Sequence, residues 1–329
     1  MNARIPIICC LDIEPDARMI DPQIPVDWEG FEKCYEFFSR ARRRMVIATA
    51  FPVHFSWFLR MDPQVTHTYG SPDWAVTRYR SLLEEFKGRG DELGLHAHAW
   101  RWNEESEAWI EDFGDQKWVD HCVRSSFETF QTSLNQPCRS FRFGDHWMNN
   151  ETIELLERLG ARFDLTTEPG ALPCMPFGEP SSGSFPDYTR IPQVPYRPSE
   201  DDFTKQSSWR KRSLWIIPVS ASSTETPVTS SAPDRGKWLR PNQPVHQDCV
   251  TLNLAVSQSM FSTIFDKLLG SLKNPFIVMV ARTDVAVDAV QRANLEQNIE
   301  FLLSHPLVRR FAFETPAEAM RRLRLRFSS

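Results

Sequence analysis

Short apolar segments alternate with longer amphipathic ones along this 329-residue sequence, and this alternation limits the fold more than any other feature. Apolar runs of four to eight residues predict buried strands, whereas apolar side chains every three or four residues predict helices. The predicted strands are residues 5–11, 45–51, 91–98, 138–143, 162–165, 276–281 and 309–313. The predicted helices are residues 28–43, 73–87, 117–134, 150–159, 257–272, 285–304 and 315–325. This order predicts an α/β protein with parallel strands, arranged either as a closed barrel or as an open, doubly wound sheet.

Residues 168–250 interrupt the alternation and are rich in Pro, Ser and Thr. A linker between two domains would have such a composition. However, the strand and helix pattern resumes after residue 250, which favours a single domain over residues 1–329 with an irregular, loop-rich insertion at 168–250. An insertion of this length could form a lid over a binding site.

Charge and hydropathy exclude several classes of protein. The net charge is −5, and the two arginine-rich runs, 40–44 and 321–326, lie at predicted helix ends, so we expect no nucleic-acid partner. No apolar run approaches the ~20 residues that a transmembrane helix needs. The first apolar run leads straight into acidic residues without a cleavage site, and the seven cysteines form no CxxC motif. These features predict a cytoplasmic protein with reduced thiols.

Two of the predicted strands end in residues that can bind a metal. Asp12 and Glu14 in the segment LDIEPD are two residues apart, so they lie on one face of a strand. His96 and His98 in LHAHAW share the same spacing at the end of another strand. The alternative interpretation is a solvated turn for the acids and structural roles for the histidines.

Together these segments supply two histidines and a carboxylate, a set that leaves open positions on a metal for water and substrate. The second carboxylate would then be free to act as a base. We expect a divalent metal, with zinc preferred and cobalt, iron, nickel and manganese as alternatives.

Two further segments carry polar residues near predicted strand ends. In FRFGDHW, Arg142 could pair with a carboxylate, and His146 could donate a proton or simply begin a helix. In WFLRMD, Arg60 and Asp62 could bind substrate hydroxyls or an anionic group, or form a surface ion pair.

The order of three segments, LDIEPD, DELGLHAHAWRW and SFRFGDHWMNNETIELLERLGARFD, resembles the polysaccharide deacetylases, also called NodB-homology proteins or family 4 carbohydrate esterases. The resemblance covers residues 5–167 and continues more weakly through 276–281. The WFLR-D segment with the H-x-H strand end is similar to a branch associated with surface-polysaccharide and O-antigen biosynthesis. The family implies a distorted (β/α)7 barrel that hydrolyses an N- or O-acyl group on a small-molecule or lipid-linked sugar. It implies no particular oligomeric state.

Residue by residue, the resemblance implies that Asp12 is the general base, Glu14 and His96 are metal ligands, and Arg142 tethers the base. The family's second metal histidine lies four residues after the first, where this chain has Trp100. His98 therefore has to replace it, and Trp100 is expected to line the substrate pocket.

The family also ends a late strand with a histidine that acts as the general acid. Here that segment reads IVMVARTD, residues 277–284, and contains no histidine. His146, His246 or Asp284 could supply the proton, and Asp284 is also expected to contact substrate. Alternatively, the chain is a catalytically altered or inactive relative that binds carbohydrate.

Overall fold

The computed structural model of the chain describes residues 4–17, 22–173, 186–208, 212–223, 249–272 and 274–327. The strands are β1 Ile5–Ile13, β2 Ser56–Arg60, β3 Glu92–Ala97, β4 Trp100–Asn103, β5 Ala108–Glu111, β6 Ser140–Phe143, β7 Phe163–Asp164, β8 Trp215–Ile216, β9 Ala221–Ser223, β10 Cys249–Thr251, β11 Ile277–Arg282 and β12 Phe311–Phe313. The helices are α1 Glu29–Thr49, α2 Pro63–Tyr69, α3 Trp74–Arg78, α4 Arg80–Gly88, α5 Gln116–Leu134, α6 Asn150–Arg158, α7 Gln258–Ser271, α8 Ala289–Ser304 and α9 Pro316–Phe327.

The main sheet is parallel and has the strand order β11-β1-β2-β3-β6-β7-β8, with the short strand β12 also paired to β1. From β1 to β8 the order follows the chain without reversal. A doubly wound sheet would reverse its order at a switch point. The architecture is therefore the distorted (β/α)7 barrel, as predicted.

Hydrogen bonds across the gap between β8 and β11 bring the two ends of the sheet together. The Ser220 amide donates to the Val278 carbonyl at 3.0 Å, and the Val280 amide donates to the Leu252 carbonyl at 3.1 Å. Strand β8 and Ser220 come from the predicted insertion and Leu252 follows directly after it, so part of the insertion belongs to the sheet. Residues 174–185, 209–211 and 224–248 lie outside the described residues, and so does His246.

The side chains of β1 alternate between two cores. Its odd-numbered residues, from Ile5 to Ile13, pack with the outer helices, whereas Ile8 and Cys10 pack inside the sheet with Phe58 and Val278. Asp12 and Glu14 continue this even-numbered series. The polar residues at the strand ends therefore lie inside the barrel, at the carboxyl-end side of the inner apolar core.

The predicted strand at residues 45–51 is wrong. Helix α1 continues to Thr49 and ends at Ala50, whose φ of 54° is left-handed. Met45 lies on the same buried helix face as Phe38, whereas Ile47 is 74% exposed. The strand at this place in the sheet is β2, which contains the WFLR segment.

The longer helix α1 also corrects the placement of the arginines at 40–44, which lie within the helix and not at its end. No described helix combines the length and the apolar character needed to cross a membrane.

Candidate metal centre

Three buried side chains at the ends of β1 and β3, the strands on either side of β2, converge on one point. The Nε2 atoms of His96 and His98 are 2.9 Å apart. The Glu14 carboxylate lies 3.3 Å from the His96 Nε2 and 3.7 Å from the His98 Nε2. Each of the three residues is 2% exposed. The structure thus brings together the three predicted metal ligands.

The hydrogen bonds of the two imidazoles determine which nitrogen carries the proton. The His96 Nδ1 is 3.0 Å from the Arg142 carbonyl, which can only accept, so this Nδ1 donates. The His98 Nδ1 is 2.7 Å from the Asp145 carboxylate and donates there. In the neutral imidazoles both Nε2 atoms then carry lone pairs. Two lone pairs at 2.9 Å repel unless a cation lies between them.

The spacing of the donor atoms fits a transition metal. Nitrogen and oxygen ligands at about 2.0–2.1 Å in a tetrahedral arrangement lie roughly 3.3 Å from one another. The observed separations of 2.9, 3.3 and 3.7 Å lie on both sides of that value. Glu14, His96 and His98 would therefore hold the ion, and the Nδ1 contacts would orient the two imidazoles, as is usual for metal-binding histidines.

Glu14 also faces two guanidinium groups. Arg60 lies 3.4 Å from one carboxylate oxygen, and Arg282 at the end of β11 lies 3.3 Å from the other. Burial opposes ionisation of Glu14, whereas the positive charge of Arg282 is the largest influence in the other direction, and the pKa of the carboxyl lies well below its usual range. Glu14 is therefore charged and available as a ligand.

Arg60 and Asp62 do not form a surface pair, because both are fully buried. The Arg60 Nε donates to Asp62 at 2.8 Å, and Arg60 also donates to the side chain of Gln64. Asp62 accepts a further bond from the His98 amide at 3.0 Å and caps helix α2. Arg60 thus contacts Glu14, and Asp62 contacts the backbone of His98. A contact of Arg60 or Asp62 with substrate stays a prediction.

The predicted base and its tether form a buried ion pair. The Arg142 Nε lies 2.9 and 3.0 Å from the two Asp12 oxygens, and its Nη1 donates to the Leu165 carbonyl at 2.7 Å. Burial disfavours the charge on Arg142, but Asp12 outweighs that effect and raises the pKa of the guanidinium. The pairing predicted from the sequence is present.

Asp145 is a supporting residue that the sequence analysis did not identify. Its carboxylate accepts from the His98 Nδ1 and from the Trp100 indole, the latter at 2.9 Å. Trp100 is buried and supports the site in this way, so its predicted contact with substrate is not tested. The segment GDH at the end of β6 was the available signal, because an acid there can reach a histidine on β3.

His146 and Asp284, the two described candidates for the general acid, have different surroundings. The His146 side chain is 47% exposed, and its Nδ1 lies 3.1 Å from the buried Glu168 carboxylate. Asp284 accepts from the Arg282 Nη2 at 2.7 Å. Neither Glu168 nor Arg282 was singled out from the sequence, since one follows a two-residue strand and the other replaces an expected histidine.

Sequence comparisons give no family: no protein-family model matches this chain, and no curated protein matches it. Solved structures do share its fold. A protein from Parabacteroides distasonis assigned as a glycoside hydrolase/deacetylase superimposes with a TM-score of 0.57 at 12% identity, covering 99% of this chain and 72% of that one.

Two other solved structures are similar over most of their length. A protein from Mycobacterium smegmatis assigned as a polysaccharide deacetylase has a TM-score of 0.51 at 11% identity, with coverage of 99% and 92%. PuuE allantoinase has a TM-score of 0.50 at 12% identity, with coverage of 98% and 91%. At such identities the likeness shows the fold, which is that of the polysaccharide deacetylases.

Proposed function

We propose that this protein is a metal-dependent hydrolase that removes an acyl group, such as acetyl, from a sugar or glycan precursor. The observation that carries the proposal is the Glu14–His96–His98 trio beside the buried Asp12–Arg142 pair, all at the carboxyl ends of parallel strands. Active sites of α/β barrels are built at this end of the sheet.

A divalent metal, when bound, supplies Lewis acidity that polarises a carbonyl group and lowers the pKa of water. The histidine nitrogens in the donor set favour zinc, with cobalt, iron, nickel and manganese as alternatives. Asp12 would accept the proton from the attacking water. Arg142 bonds to both Asp12 oxygens, so it fixes the orientation of the base.

The sugar substrate is supported by resemblance and by the names of the structural neighbours. The Mycobacterium smegmatis protein is assigned as a polysaccharide deacetylase, and the Parabacteroides distasonis protein as a glycoside hydrolase/deacetylase. A lipid-linked substrate and a place in O-antigen synthesis belong to the same proposal. The place in O-antigen synthesis rests on the WFLR-D and H-x-H segments in the sequence.

A second candidate function is carbohydrate binding without turnover. It is favoured by one observation, that β11 ends in Arg282 where the resemblance implies a histidine. The intact base, tether and ligand trio favour turnover.

The test is release of acetate by protein loaded with zinc, cobalt, nickel or manganese and by the same protein after chelation. The substrates are an activated aryl acetate, O-acetyl sugars and N-acetyl sugars, and the control is the double variant His96→Ala, His98→Ala. We expect hydrolysis that needs both metal and the two histidines. Binding of sugars with no metal-dependent hydrolysis of any substrate would contradict the hydrolase and support the second candidate.

A further inference from the structure

We propose that Glu168 and Thr251 hold His146 as the proton donor to an amine leaving group, which makes N-acyl sugars the preferred substrates. This inference rests on the proposed hydrolase function. It assigns a positioning role to Glu168 and a substrate class to the site.

Contacts to both carboxylate oxygens fix the orientation of the Glu168 side chain. Its carboxylate is buried, with one oxygen 3.1 Å from the His146 Nδ1 and the other accepting from the Thr251 hydroxyl at 2.7 Å. A carboxylate against Nδ1 selects the tautomer with the proton on that atom. The Nε2 of the half-exposed ring is then the atom that exchanges a proton with a bound molecule.

The backbone before this ring is held in an uncommon shape. Asp145 and His146 have φ values of 55° and 61°, in the left-handed region that residues other than glycine rarely adopt. Residues in this region are strained and persist where surrounding contacts fix them. Here the shape directs Asp145 to His98 and His146 to Glu168. The Tyr188 hydroxyl bonds to the His146 carbonyl at 2.5 Å and fixes the turn.

Glu168 is charged at every pH at which the protein would work. Burial alone would raise its pKa, but His146, Thr251 and Arg142 outweigh burial and lower the pKa to about 2. Arg142 bonds to Asp12, and its charge also favours the ionised form of Glu168, so one guanidinium acts on the carboxylate that supports the acid and on the carboxylate that serves as the base. The base Asp12 and the residue that supports the proton donor, Glu168, are thus both stabilised by the same positive charge.

The leaving group decides how much this donor matters. Water adds its oxygen to the acyl carbon while Asp12 takes one of its protons. When the C–N bond breaks, its electron pair stays on nitrogen, and His146, which enters this step as an imidazolium with a proton on each ring nitrogen, passes its Nε2 proton to that nitrogen. The products are an amine and a carboxylic acid, which loses its proton to solvent and becomes a carboxylate. Asp12 and His146 then return to their starting states by exchanging protons with solvent. An ester leaves as an alkoxide, which needs this proton less.

Asp284, the other described candidate, is a weaker donor. Its carboxylate bonds to the Arg282 guanidinium, and a neighbouring cation favours the ionised form of a carboxyl group. An ionised carboxylate has no proton to give.

The experiment compares Glu168→Gln and His146→Gln with wild type on matched N-acetyl and O-acetyl sugars. The control is Glu92→Gln, which changes a mostly buried carboxylate, bonded to Ser140, at the opposite end of the sheet. We expect both site variants to lose on the order of 10²-fold on the amide and under about 10-fold on the ester. Side-chain nitrogen NMR of the neutral ring should show the His146 proton on Nδ1 in wild type, and that preference should be lost in Glu168→Leu, which removes the acceptor oxygens.

Two results would overturn the inference while leaving the hydrolase intact. One is an equal loss on amide and ester in both variants, and the other is an unchanged His146 tautomer in Glu168→Leu. His146→Gln keeps the test decisive if Glu168→Gln folds poorly, because the imidazole is half exposed. A wild type that cleaves neither substrate would contradict the hydrolase itself and the inference with it.

Discussion

Arg142 is a buried cation, and its charge is balanced by Asp12 in direct contact. Removing one partner of a buried pair costs about 3–5 kcal/mol when the other charge is left uncompensated. Asp12 therefore contributes to stability as well as to chemistry, and a test of its role as a base has to separate the two effects.

We predict that Asp12→Asn loses ~10²–10⁴-fold in hydrolysis while keeping its metal, because Asp12 is assigned as base and not as ligand. Its free energy of unfolding should also fall, since the amide cannot balance the Arg142 charge. The measurements are turnover, elemental analysis and urea unfolding of the same preparation. Wild-type turnover would refute the role, and loss of the metal would show that Asp12 is a ligand.

For single residues, the sequence predicts the direction of a side chain where the two-residue alternation of a strand continues to that position. Asp12 and Glu14 extend the inner face of β1, and His96 extends that of β3, so their convergence could be inferred from spacing. Glu168 could not be inferred in this way. It follows the two-residue strand β7, where no periodicity shows which way a side chain points.

The short 3₁₀ turn Gly144–His146 joins β6 to the segment before α6 and positions the support of His98. A Cβ atom on Gly144 would lie 2.2 Å from the His98 Cε1, far inside van der Waals contact. Only glycine at this position lets the imidazole stay where Asp145 holds it.

We predict that Gly144→Ala binds zinc at least ~10-fold more weakly than wild type, because the added methyl group displaces the His98 ring. The matched control is Gly270→Ala in helix α7, where a Cβ has open space. This control should bind zinc normally and gain ~0.5–1 kcal/mol of stability from its higher helix propensity. Competition with a chromophoric chelator measures both affinities. Equal affinity of Gly144→Ala and wild type would show that this contact does not position His98.

The predicted strand at residues 45–51 shows a limit of local patterns. Met45, Val46 and Ile47 form an apolar run that is typical of a strand, yet they continue helix α1. Packing of Met45 with Phe38 on the buried helix face decides the outcome, and that contact cannot be seen in a short window. The long helices and the apolar strands with clear periods were predicted to within a few residues.

Across the whole molecule, the strand order could not be derived from alternation alone, since both barrels and open sheets alternate strands and helices. The resemblance to polysaccharide deacetylases selected the barrel, and the observed order agrees with it. The closing contacts of Ser220 and Leu252 lie within and directly after the irregular insertion, where composition gives no pairing information.

The pH dependence of the free energy of unfolding tests one buried carboxyl group of this barrel, that of Asp164. Burial raises the pKa of Asp164 to about 7, against the weaker opposing effect of Thr166. The folded state therefore binds a proton that the unfolded state has lost between about pH 4 and pH 7. The contribution of Asp164 to the free energy of unfolding therefore falls as the pH rises through that window and is constant above it.

We predict that Asp164→Asn is stabilised relative to wild type more at pH 8 than at pH 5, because asparagine carries no charge to bury. Chemical unfolding at both pH values gives the difference, with the exposed Asp201→Asn as control. A difference between variant and wild type that does not change with pH would show that Asp164 titrates normally in the folded protein.

The most direct test of the central claim is the metal content of purified protein. Wild type should carry about one divalent transition metal per chain, predominantly zinc, because Glu14, His96 and His98 present three donor atoms at ligand spacing. The double variant His96→Ala, His98→Ala should lose this metal, whereas His121→Ala, in helix α5, should keep it. Equal metal content in wild type and in the double variant would contradict the assignment of the site.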